Sequence, residues 1–290
     1  EAKLKRYAER YNIPHIYTDY NEMMAKEDLD CVSVTTWNAA HKGATIAALR
    51  GGANVLCEKP LCINREEIEK ILAAEARSTA QLGVVLQNRY NPANIYAKEQ
   101  LGEDKATGGY ATMIWNRNEN YYAQAAWRGT KDMEGGGVLI NQALHTLDLL
   151  QYFCGEPDQV VASVNNLTLK NVINVEDTAS ALYSGKANFT FFATNGSNVD
   201  FQPEVMLYTK DGYMRILGNY VLHNNMLKHF DTTKTVYGKG CYGTGHGQLL
   251  AHFYECVEKG EKFPIDGREG SKVIKMILAA YESNGDKVDV

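Results

Sequence analysis

The sequence lacks the features of proteins that bind nucleic acids or span membranes. Its 290 residues carry a formal net charge of −5, and the pI is near 5.9. No run of lysines and arginines offers a surface for a phosphate backbone. No apolar run is long enough to cross a bilayer. We therefore expect neither a nucleic-acid partner nor a membrane partner.

Paired cysteines are also missing. The six cysteines are scattered singly, without a CxxC pair and without a signal peptide ahead of them. This usage is typical of reduced thiols, so it predicts a cytoplasmic protein in which each cysteine is a small core residue. We predict no metal site.

The first ninety or so residues alternate between short β-branched runs and helical periodicity. The strand-like runs are 30–36, 55–58 and 83–87, and the helical segments are 1–11, 19–25, 41–50 and 65–78. Strand and helix alternating with short links predict an α/β fold with a parallel, doubly wound sheet of the Rossmann type.

The pattern changes after Pro92, where a helix is followed by many alternating strand candidates. Such a run of strands predicts an α+β second domain with a mainly antiparallel open sheet. We therefore predict a first domain over 1–92 and a second over 93–290. The last helix, over 271–284, is expected to pack back on the first domain.

Polar side chains follow each predicted strand of the first domain, where ligands bind in open parallel sheets. The three groups are Thr35-Thr36-Trp37-Asn38, Glu58-Lys59-Pro60 and Gln87-Asn88-Arg89. Any one strand end is polar for structural reasons more often than not. Three consecutive ends with hydroxyls, amides, a Glu-Lys pair and an arginine favour a shared ligand crevice.

Lys59 stands out within this crevice. Partial burial would lower its pKa, whereas the neighbouring carboxylate of Glu58 would raise it. A lysine so placed suits general acid–base catalysis or stabilisation of an alkoxide. Taken alone, Lys59 is equally well explained as an ordinary surface charge.

A second polar cluster follows three consecutive glycines at 135–137, which we expect to let the backbone approach a ligand closely before one helix that runs to Phe153. Asn141, His145 and Asp148 are spaced i, i+4 and i+7, so they are predicted to share one helix face. A histidine there, with a pKa near neutrality, suits proton transfer, although a lone helical histidine is more often structural.

Four ordered segments resemble the Gfo/Idh/MocA family of nicotinamide-dependent sugar and polyol oxidoreductases. They are TTWNAAHKGATIAALRGGANVLCEKP, QNRYNP, WRG…GGGVLINQALHTLDLLQYFCGEP and the closing GHGQLLAHFYECVEKGEKFPIDGREGSKVIKMILAAYES. EKP alone is a weak signal. The order and spacing of all four segments make the resemblance specific, and it extends over nearly the whole chain.

The resemblance implies that Lys59 is the catalytic lysine and that His145 acts beside it on the substrate hydroxyl. Asn141 occupies a position where many members carry an aspartate, and an asparagine can orient a hydroxyl but takes no proton. The implied cofactor is NAD or NADP. Its implied neighbours are Thr36, Trp37, Asn38, His41, Glu58, Lys59, Gln87, Trp127, Arg128 and Tyr281.

One departure from the family lies at the start of the chain. Members open with a strand, a G-x-G-x-x-G turn, a helix and a second strand, and Glu1 falls roughly thirty residues after such an opening. GKGCYGTGHG follows no clear strand and lacks the GK[ST] of a phosphate loop, so we interpret it as a loop near the substrate. The glycine turn that would hold the pyrophosphate is therefore missing from this sequence.

Two functions are compatible with these features. The first is an oxidoreductase that transfers hydride between nicotinamide and a hydroxyl or keto group of a sugar, inositol or related polyol. The alternative is a truncated, inactive member that serves as a binding or assembly protein, although a piece of a longer enzyme best explains the missing methionine.

The resemblance also implies a homo-oligomer, a dimer or tetramer, formed through the open face of the second sheet. Candidate substrate contacts are Tyr121, Tyr122, Asn165 and His246. These side chains offer hydrogen bonds and stacking, but they do not identify the sugar.

Overall fold

A computed structural model describes residues 2–231 and 243–290 of the chain. Its first sheet is parallel and has the order β1 (Cys31–Val34), β2 (Asn54–Cys57) and β3 (Leu82–Val84). The helices of this part are α1 (Ala2–Tyr11), α2 (Tyr20–Lys26), α3 (His41–Arg50) and α4 (Arg65–Glu75). The predicted α/β fold with a parallel sheet is confirmed.

The third strand ends earlier than its sequence predicts. It stops at Val84, and Gln87–Tyr90 form a turn of 3₁₀ helix. Arg89 within this turn is 7% exposed and reaches inward to Asp148. The predicted strand end at Gln87 is therefore the start of a turn that directs side chains into the protein.

The second sheet has nine strands among the described residues, in the order β11-β10-β9-β8-β4-β7-β6-β5-β12. All neighbours in it are antiparallel except β4 and β7. The strands are β4 (Gly108–Ile114), β5 (Gln159–Asn165), β6 (Thr178–Ser184), β7 (Phe189–Thr194), β8 (Glu204–Thr209), β9 (Gly212–Leu217), β10 (Tyr220–His223), β11 (Met226–His229) and β12 (Lys287–Asp289). The predicted mainly antiparallel sheet is confirmed.

Four helices pack on this second sheet: α5 (Pro92–Leu101), α8 (Val138–Asn141), α9 (Leu144–Cys154) and α11 (Gly267–Ser283). The other helices of this part are α6 (Glu119–Tyr122), α7 (Lys131–Glu134), which contacts the turn at 38–40, and α10 (Gly245–Lys259), which contacts the turn at 87–90. α9 contacts β4, β7 and β8, while α11 contacts β5 and also reaches α4 and β3 of the first sheet. A Cβ on Gly270 would lie 2.4 Å from Val84, so only glycine permits this contact between α11 and β3.

The opposite face of the second sheet is open to solvent. Val161, Leu182 and Tyr208 are 38, 50 and 47% exposed on its strands. The burial of β6 alternates residue by residue, as expected for a strand with one covered face.

The predicted helix from the triple glycine to Phe153 is wrong in one respect, because it is two helices. Ala143 donates its backbone N–H to Val138, five residues back, at 2.8 Å, and this wider turn separates α8 from α9. Gln142 at the break donates to the Tyr121 hydroxyl at 3.0 Å. Asn141 therefore ends one helix, whereas His145 lies in the next.

Two expectations from composition can be compared with the fold. No helix within the described ranges is long and apolar enough to cross a membrane. The five cysteines that the structure describes are free thiols, and four of them are buried. Cys241 lies outside the described residues.

Candidate active site

A cavity of about 270 Å³ lies where the carboxyl end of β2 meets α8 and α9. It is lined by Lys59, Gln87, Trp115, Arg117, Tyr121, Asn141, Gln142, His145, Gly243 and His246. The three catalytic candidates from the sequence, Lys59, Asn141 and His145, are thus brought to one cavity. Sequence reasoning missed Trp115, Arg117 and Gln142.

Lys59 is held in this cavity by neutral oxygen atoms. Its Nζ donates to the backbone oxygen of Asn141 at 2.7 Å and to the side-chain Oδ1 of Asn141 at 3.1 Å. Burial lowers the pKa of Lys59, and the nearby carboxylates of Glu58 and Glu134 only partly oppose this. Lys59 therefore gives up its proton more readily than a surface lysine.

Glu134 is the functional candidate that sequence reasoning did not find. It is fully buried and accepts hydrogen bonds from Asn141 Nδ2 and from the backbone N–H of Gly129. Burial raises the pKa of Glu134 to about 7. The structure thus forms a chain from Lys59 through Asn141 to Glu134. A glutamate directly ahead of a triple glycine was the signal in the sequence.

The triple glycine serves packing within the chain, and its expected close approach to a ligand stays a prediction. A Cβ on Gly136 would lie 2.1 Å from the Tyr281 hydroxyl, and one on Gly137 would lie 1.9 Å from the backbone oxygen of Glu176. The Glu176 carboxylate accepts from Gly137 N–H at 2.7 Å and from the Tyr281 hydroxyl at 2.8 Å. Glu176 and Tyr281 therefore fix the start of α8, which ends in Asn141.

His145 lines the cavity, and one of its ring nitrogens is buried without a partner. The residue is 7% exposed, and its Nδ1 has no hydrogen-bond partner. Burial, the Lys59 cation and His246 hold the pKa of His145 well below its usual value. The expected pKa near neutrality is therefore wrong. The ring is neutral at pH 7 and can accept a hydrogen bond from a substrate hydroxyl.

Asp148 does not share the cavity face with Asn141 and His145, so this part of the sequence prediction is wrong. Asp148 is 1% exposed and accepts from Arg89 Nη2 at 2.6 Å and from Arg89 Nε at 2.8 Å. Glu269 accepts from the remaining Arg89 nitrogen, Nη1, at 2.8 Å. Since α8 and α9 are separate helices, the seven-residue spacing no longer aligns these side chains.

The four cofactor candidates after β1 divide into two pairs. Thr36 and Trp37 are exposed, and Trp37 keeps 47% of its surface accessible. Asn38 is buried and donates to the backbone oxygen of Glu134 at 2.8 Å. The buried ring of His41 lies 2.6 Å from the Pro60 oxygen and 2.9 Å from the Thr36 oxygen. Asn38 and His41 therefore hold the loops around the cavity in place.

The remaining cofactor candidates carry several polar atoms without partners. Gln87 lines the cavity, and its buried Oε1 has no hydrogen-bond partner. Arg128 lies 4.7 Å from the ring centre of Trp127, and its Nε also has no partner. Together with the exposed ring of Trp37, these groups suit the amide, hydroxyl and ring surfaces of a dinucleotide.

The substrate candidates also divide. Tyr121 and His246 line the cavity, and His246 bonds to Glu58 at 3.0 Å. Tyr122 is buried, and its hydroxyl accepts from Asn195 at 3.1 Å. Asn165 ends β5 and is absent from the cavity lining.

Part of the glycine-rich segment GKGCYGTGHG lies outside the described residues, so the interpretation of those positions as a substrate loop is not examined by the structure. Its described portion contributes Gly243 and His246 to the cavity. Across 2–231 and 243–290, no cluster of three or more His, Cys, Asp or Glu side chains is arranged to hold a metal ion.

Comparison with known proteins gives the class of protein. Residues 1–86 match the oxidoreductase family Gfo/Idh/MocA through its NAD-binding Rossmann fold, and residues 97–215 match the C-terminal domain of the same family. The chain belongs to the Gfo/Idh/MocA family of oxidoreductases.

Similar proteins include enzymes that act on diols and sugars. Trans-1,2-dihydrobenzene-1,2-diol dehydrogenase of Xenopus tropicalis is 25% identical over 288 residues, which cover 95% of this chain and 84% of that protein. 1,5-Anhydro-D-fructose reductase of Ensifer adhaerens is 26% identical over 59% of this chain and 51% of that protein.

A similar solved structure is the WlbA dehydrogenase of Chromobacterium violaceum in complex with NADH and UDP-GlcNAcA. Its TM-score is 0.86 and its identity 26%, with coverage of 100% of this chain and 85% of that one. These matches support an oxidoreductase over the alternative of an inactive assembly protein.

Proposed function

We propose that the protein is an NAD-dependent dehydrogenase that interconverts a hydroxyl and a keto group on a sugar or polyol. One observation carries this proposal: Lys59 and His145 line one cavity. A half-buried lysine and a neutral imidazole together can orient a substrate hydroxyl and exchange its proton. The sugar and diol substrates named for the relatives support the same class of substrate.

Bound NAD would supply the hydride acceptor, or NADH the donor. The residues that would hold it are Thr36 and Trp37 after β1, Gln87 after β3, and Arg128 on the ring of Trp127. Their exposed ring and unpartnered polar atoms fit this role. Of the other predicted neighbours, Asn38, His41 and Tyr281 act by holding loops, and Glu58 acts by holding His246. NADP is the competing dinucleotide.

Lys59 is proposed to take the proton of the substrate hydroxyl during oxidation and to return it during reduction. Its lowered pKa favours the neutral amine that can accept a proton. Asn141 cannot take this proton, but its two oxygens point the lysine nitrogen in a fixed direction. Glu134 orients the Asn141 amide in turn, so it is a positioning residue.

His145 is proposed to orient the same hydroxyl. Because its ring is neutral, it carries one N–H, which can donate to the hydroxyl oxygen while Lys59 accepts the hydroxyl proton. The cationic form would be costly beside Lys59 in a buried site. Lys59 is therefore the proton carrier, and His145 orients the hydroxyl oxygen.

The test uses the full-length protein with a panel of sugars, polyols and diols, each with NAD and with NADP. We expect growth of the reduced-nicotinamide absorbance band with at least one substrate, faster with NAD. Lys59→Ala should abolish the signal while dinucleotide binding, measured by calorimetry, is retained. An exposed lysine, Lys186→Ala, is the matched control and should behave as the parent.

Two outcomes would contradict the proposal. If neither dinucleotide binds, the chain is a binding or assembly protein. If the dinucleotide binds but no hydroxyl compound in the panel is oxidised and no keto compound is reduced, the reaction class is wrong.

We further propose that the protein is a homo-oligomer, a dimer or tetramer, that buries the open face of the second sheet. The exposed apolar side chains of Val161 and Leu182 support this assembly, since a partner would remove them from water. Light scattering should give a multiple of the chain mass, and Leu182→Lys should shift it to the monomer. A parent protein that is monomeric at high concentration would refute this assembly.

A cytoplasmic location is proposed on the basis of the free cysteines, which are stable in a reducing compartment. Fractionation of cells that produce the full-length protein should recover it with cytoplasmic markers. Recovery in a secreted fraction would contradict the location.

A further inference from the structure

The cavity has an unusual charge composition. Lys59 and Arg117 contribute basic side chains and His145 and His246 contribute imidazoles, whereas no carboxylate of the described residues is among its lining groups. The nearest acids lie behind this lining: Glu58 is bound to His246, and Glu134 is bound to Asn141. The lining that a ligand meets is therefore basic, and Arg117 is its permanent cation.

Arg117 is the least explained of these cations. Its side chain is 10% exposed, and its guanidinium lies 4.7 Å from the ring centre of Trp115 and 5.1 Å from that of Tyr121. Nη1 donates to the Asn116 backbone oxygen at 2.6 Å, and the buried Nε has no partner. The rings of Trp115 and Tyr121 hold the guanidinium in place, so it is already oriented for a planar ligand group.

The only carboxylate paired with Arg117 in the described residues is a poor counter-ion. Asp200 lies 3.3 Å from Nη1 and is 60% exposed, so solvent screens the pair. The contrast with Arg89 is clear, because Arg89 has carboxylates on both sides of its guanidinium. A desolvated arginine with one weak acid is a site for a negative charge from elsewhere.

We propose that the substrate is an anionic sugar, and that Arg117 binds its carboxylate or phosphate group. This proposal rests on the dehydrogenase function above and names its substrate class. The guanidinium fork can hold two oxygens of either group at once. The reacting hydroxyl then lies beside Lys59 at another part of the same cavity, so the anion would fix which hydroxyl reacts.

The size of the cavity agrees with this assignment. About 270 Å³ is just below the usual range of small-molecule sites, which suits one sugar ring with one charged substituent. Trp115 and Tyr121 line this cavity beside Arg117, so the anion and the ring of the sugar would lie close together. Arg117 is therefore assigned as a specificity-determining residue.

The test compares acid and neutral sugars that share a ring. D-Glucuronate is paired with D-glucose and D-galacturonate with D-galactose, and glucose 6-phosphate provides the phosphate arm. Initial rates give kcat/KM, and calorimetry without dinucleotide gives sugar affinity independently of turnover. We expect kcat/KM for one anionic class to exceed that of its neutral partner about a hundredfold, as a charged hydrogen-bonded pair allows.

Arg117→Gln should raise KM for the anionic sugar at least tenfold with a smaller effect on kcat, and Arg117→Lys should restore part of the affinity. Arg215→Gln is the matched control, since Arg215 pairs with Glu204 on the same sheet but is absent from the cavity lining. Circular dichroism and urea unfolding check that each variant is folded.

The outcomes separate this inference from the proposed function. If neutral sugars react as well as anionic ones, or if Arg117→Gln and Arg215→Gln change the acid-to-neutral ratio equally, the anion site is refuted while the dehydrogenase stands. Should no sugar of either kind react or bind, both proposals fail. A phosphate arm that outperforms the carboxylate arm identifies the anion as phosphate.

Discussion

A buried arginine and a half-buried lysine lie close to the ends of neighbouring parallel strands, and their surroundings differ in kind. Arg89, after β3, has carboxylate oxygens from Asp148 and Glu269 on its guanidinium nitrogens. The ammonium nitrogen of Lys59, after β2, donates to the two oxygens of Asn141. The first cation is neutralised by its partners, whereas the second keeps its capacity to exchange a proton and attract a substrate oxygen.

The difference separates structural from chemical use of a buried charge. A bidentate, fully paired arginine joins β3 to α9 and α11 and has nothing left to offer a ligand. A lysine held by neutral acceptors has a lowered pKa and a defined direction. Five predictions would sharpen or break this contrast.

The largest effect is expected from Lys59→Met. Removal of the proton carrier should lower kcat about 10³-fold, within the range for general acid–base groups. The urea midpoint should stay unchanged or rise, because methionine fills a similar volume without burying a charge. Turnover assays and urea unfolding measure the two effects. A variant that is unfolded, or that keeps a tenth of the activity, would place Lys59 with Arg89 as a structural cation.

Arg89→Met should give the opposite pattern. Asp148 would be left buried without a cation, at a cost of about 3–5 kcal/mol in the free energy of unfolding, whereas Glu269 keeps its pair with Lys272 at 2.8 Å. The double variant Arg89→Met/Asp148→Asn is the control and should recover part of that loss, since the stranded charge is then removed. Urea unfolding measures both. A loss below about 1 kcal/mol would mean that the paired network contributes as little as a surface pair.

Glu134 should make stability depend on pH. Burial raises its pKa from 4.5 in the unfolded chain to about 7 in the fold. Between these two pKa values the folded state binds a proton that the unfolded chain has released. The contribution of Glu134 to the free energy of unfolding is therefore complete below pH 4.5 and is lost as pH rises to 7. We expect the parent to lose about 3 kcal/mol relative to Glu134→Gln across this window.

Urea unfolding of both proteins at intervals from pH 5 to pH 8 gives this difference directly, because the other titrating groups are common to both. Parallel stability curves would show that Glu134 is ionised throughout and that the site is more polar than its burial indicates.

Much of this contrast could be predicted from the sequence, and part of it could not. Alternation and spacing located the parallel sheet, the mainly antiparallel sheet, Lys59 and His145. The prediction that Asn141 and Asp148 share one helix face was wrong, because it assumed one continuous helix. A five-residue turn at Ala143 depends on bonds that Gln142 makes to distant Tyr121 and Asn195, which local periodicity cannot encode.

The sequence also did not predict which charged side chains pair with each other. Arg89 and Asp148 are 59 positions apart, and both were read as polar groups at the ligand site. Glu134 and Arg117 were missed because each has an ordinary charged side chain in a segment with no strong periodicity. Only the fold shows that Glu134 is fully buried behind Asn141.

Asn141→Asp tests the chain from Lys59 to Glu134. An aspartate here would face the Glu134 carboxylate instead of donating to it, so one of the two acids would have to hold a proton. We expect kcat to fall about tenfold, because the salt bridge to the new carboxylate would raise the pKa of Lys59.

The double variant Asn141→Asp/Glu134→Gln restores a donor opposite the new aspartate and should recover stability at pH 8. If the single variant is as active and as stable as the parent, the amide of Asn141 has no positioning role.

The smallest effect is expected from a third cation near the end of β2, which is paired but half exposed. His246 bonds to Glu58, and their side chains are 50 and 30% exposed. The bond to Glu58 raises the pKa of His246 above 6.5, so its contribution is complete below that pH and is lost as pH rises through the folded pKa. Solvent screening limits the contribution of this pair to the free energy of unfolding to less than about 1 kcal/mol.

Glu58→Gln should therefore lower the pKa of His246 in an NMR titration and leave the urea midpoint at pH 9 nearly unchanged. His252→Gln helps to assign the histidine signals. His252 also lies on α10, but its ring bonds to the Tyr90 hydroxyl and not to Glu58. A pKa of His246 that does not move in Glu58→Gln would show that the pair is not formed in solution. A loss above about 2 kcal/mol would instead place His246 with Arg89, among the cations whose partners hold the fold together.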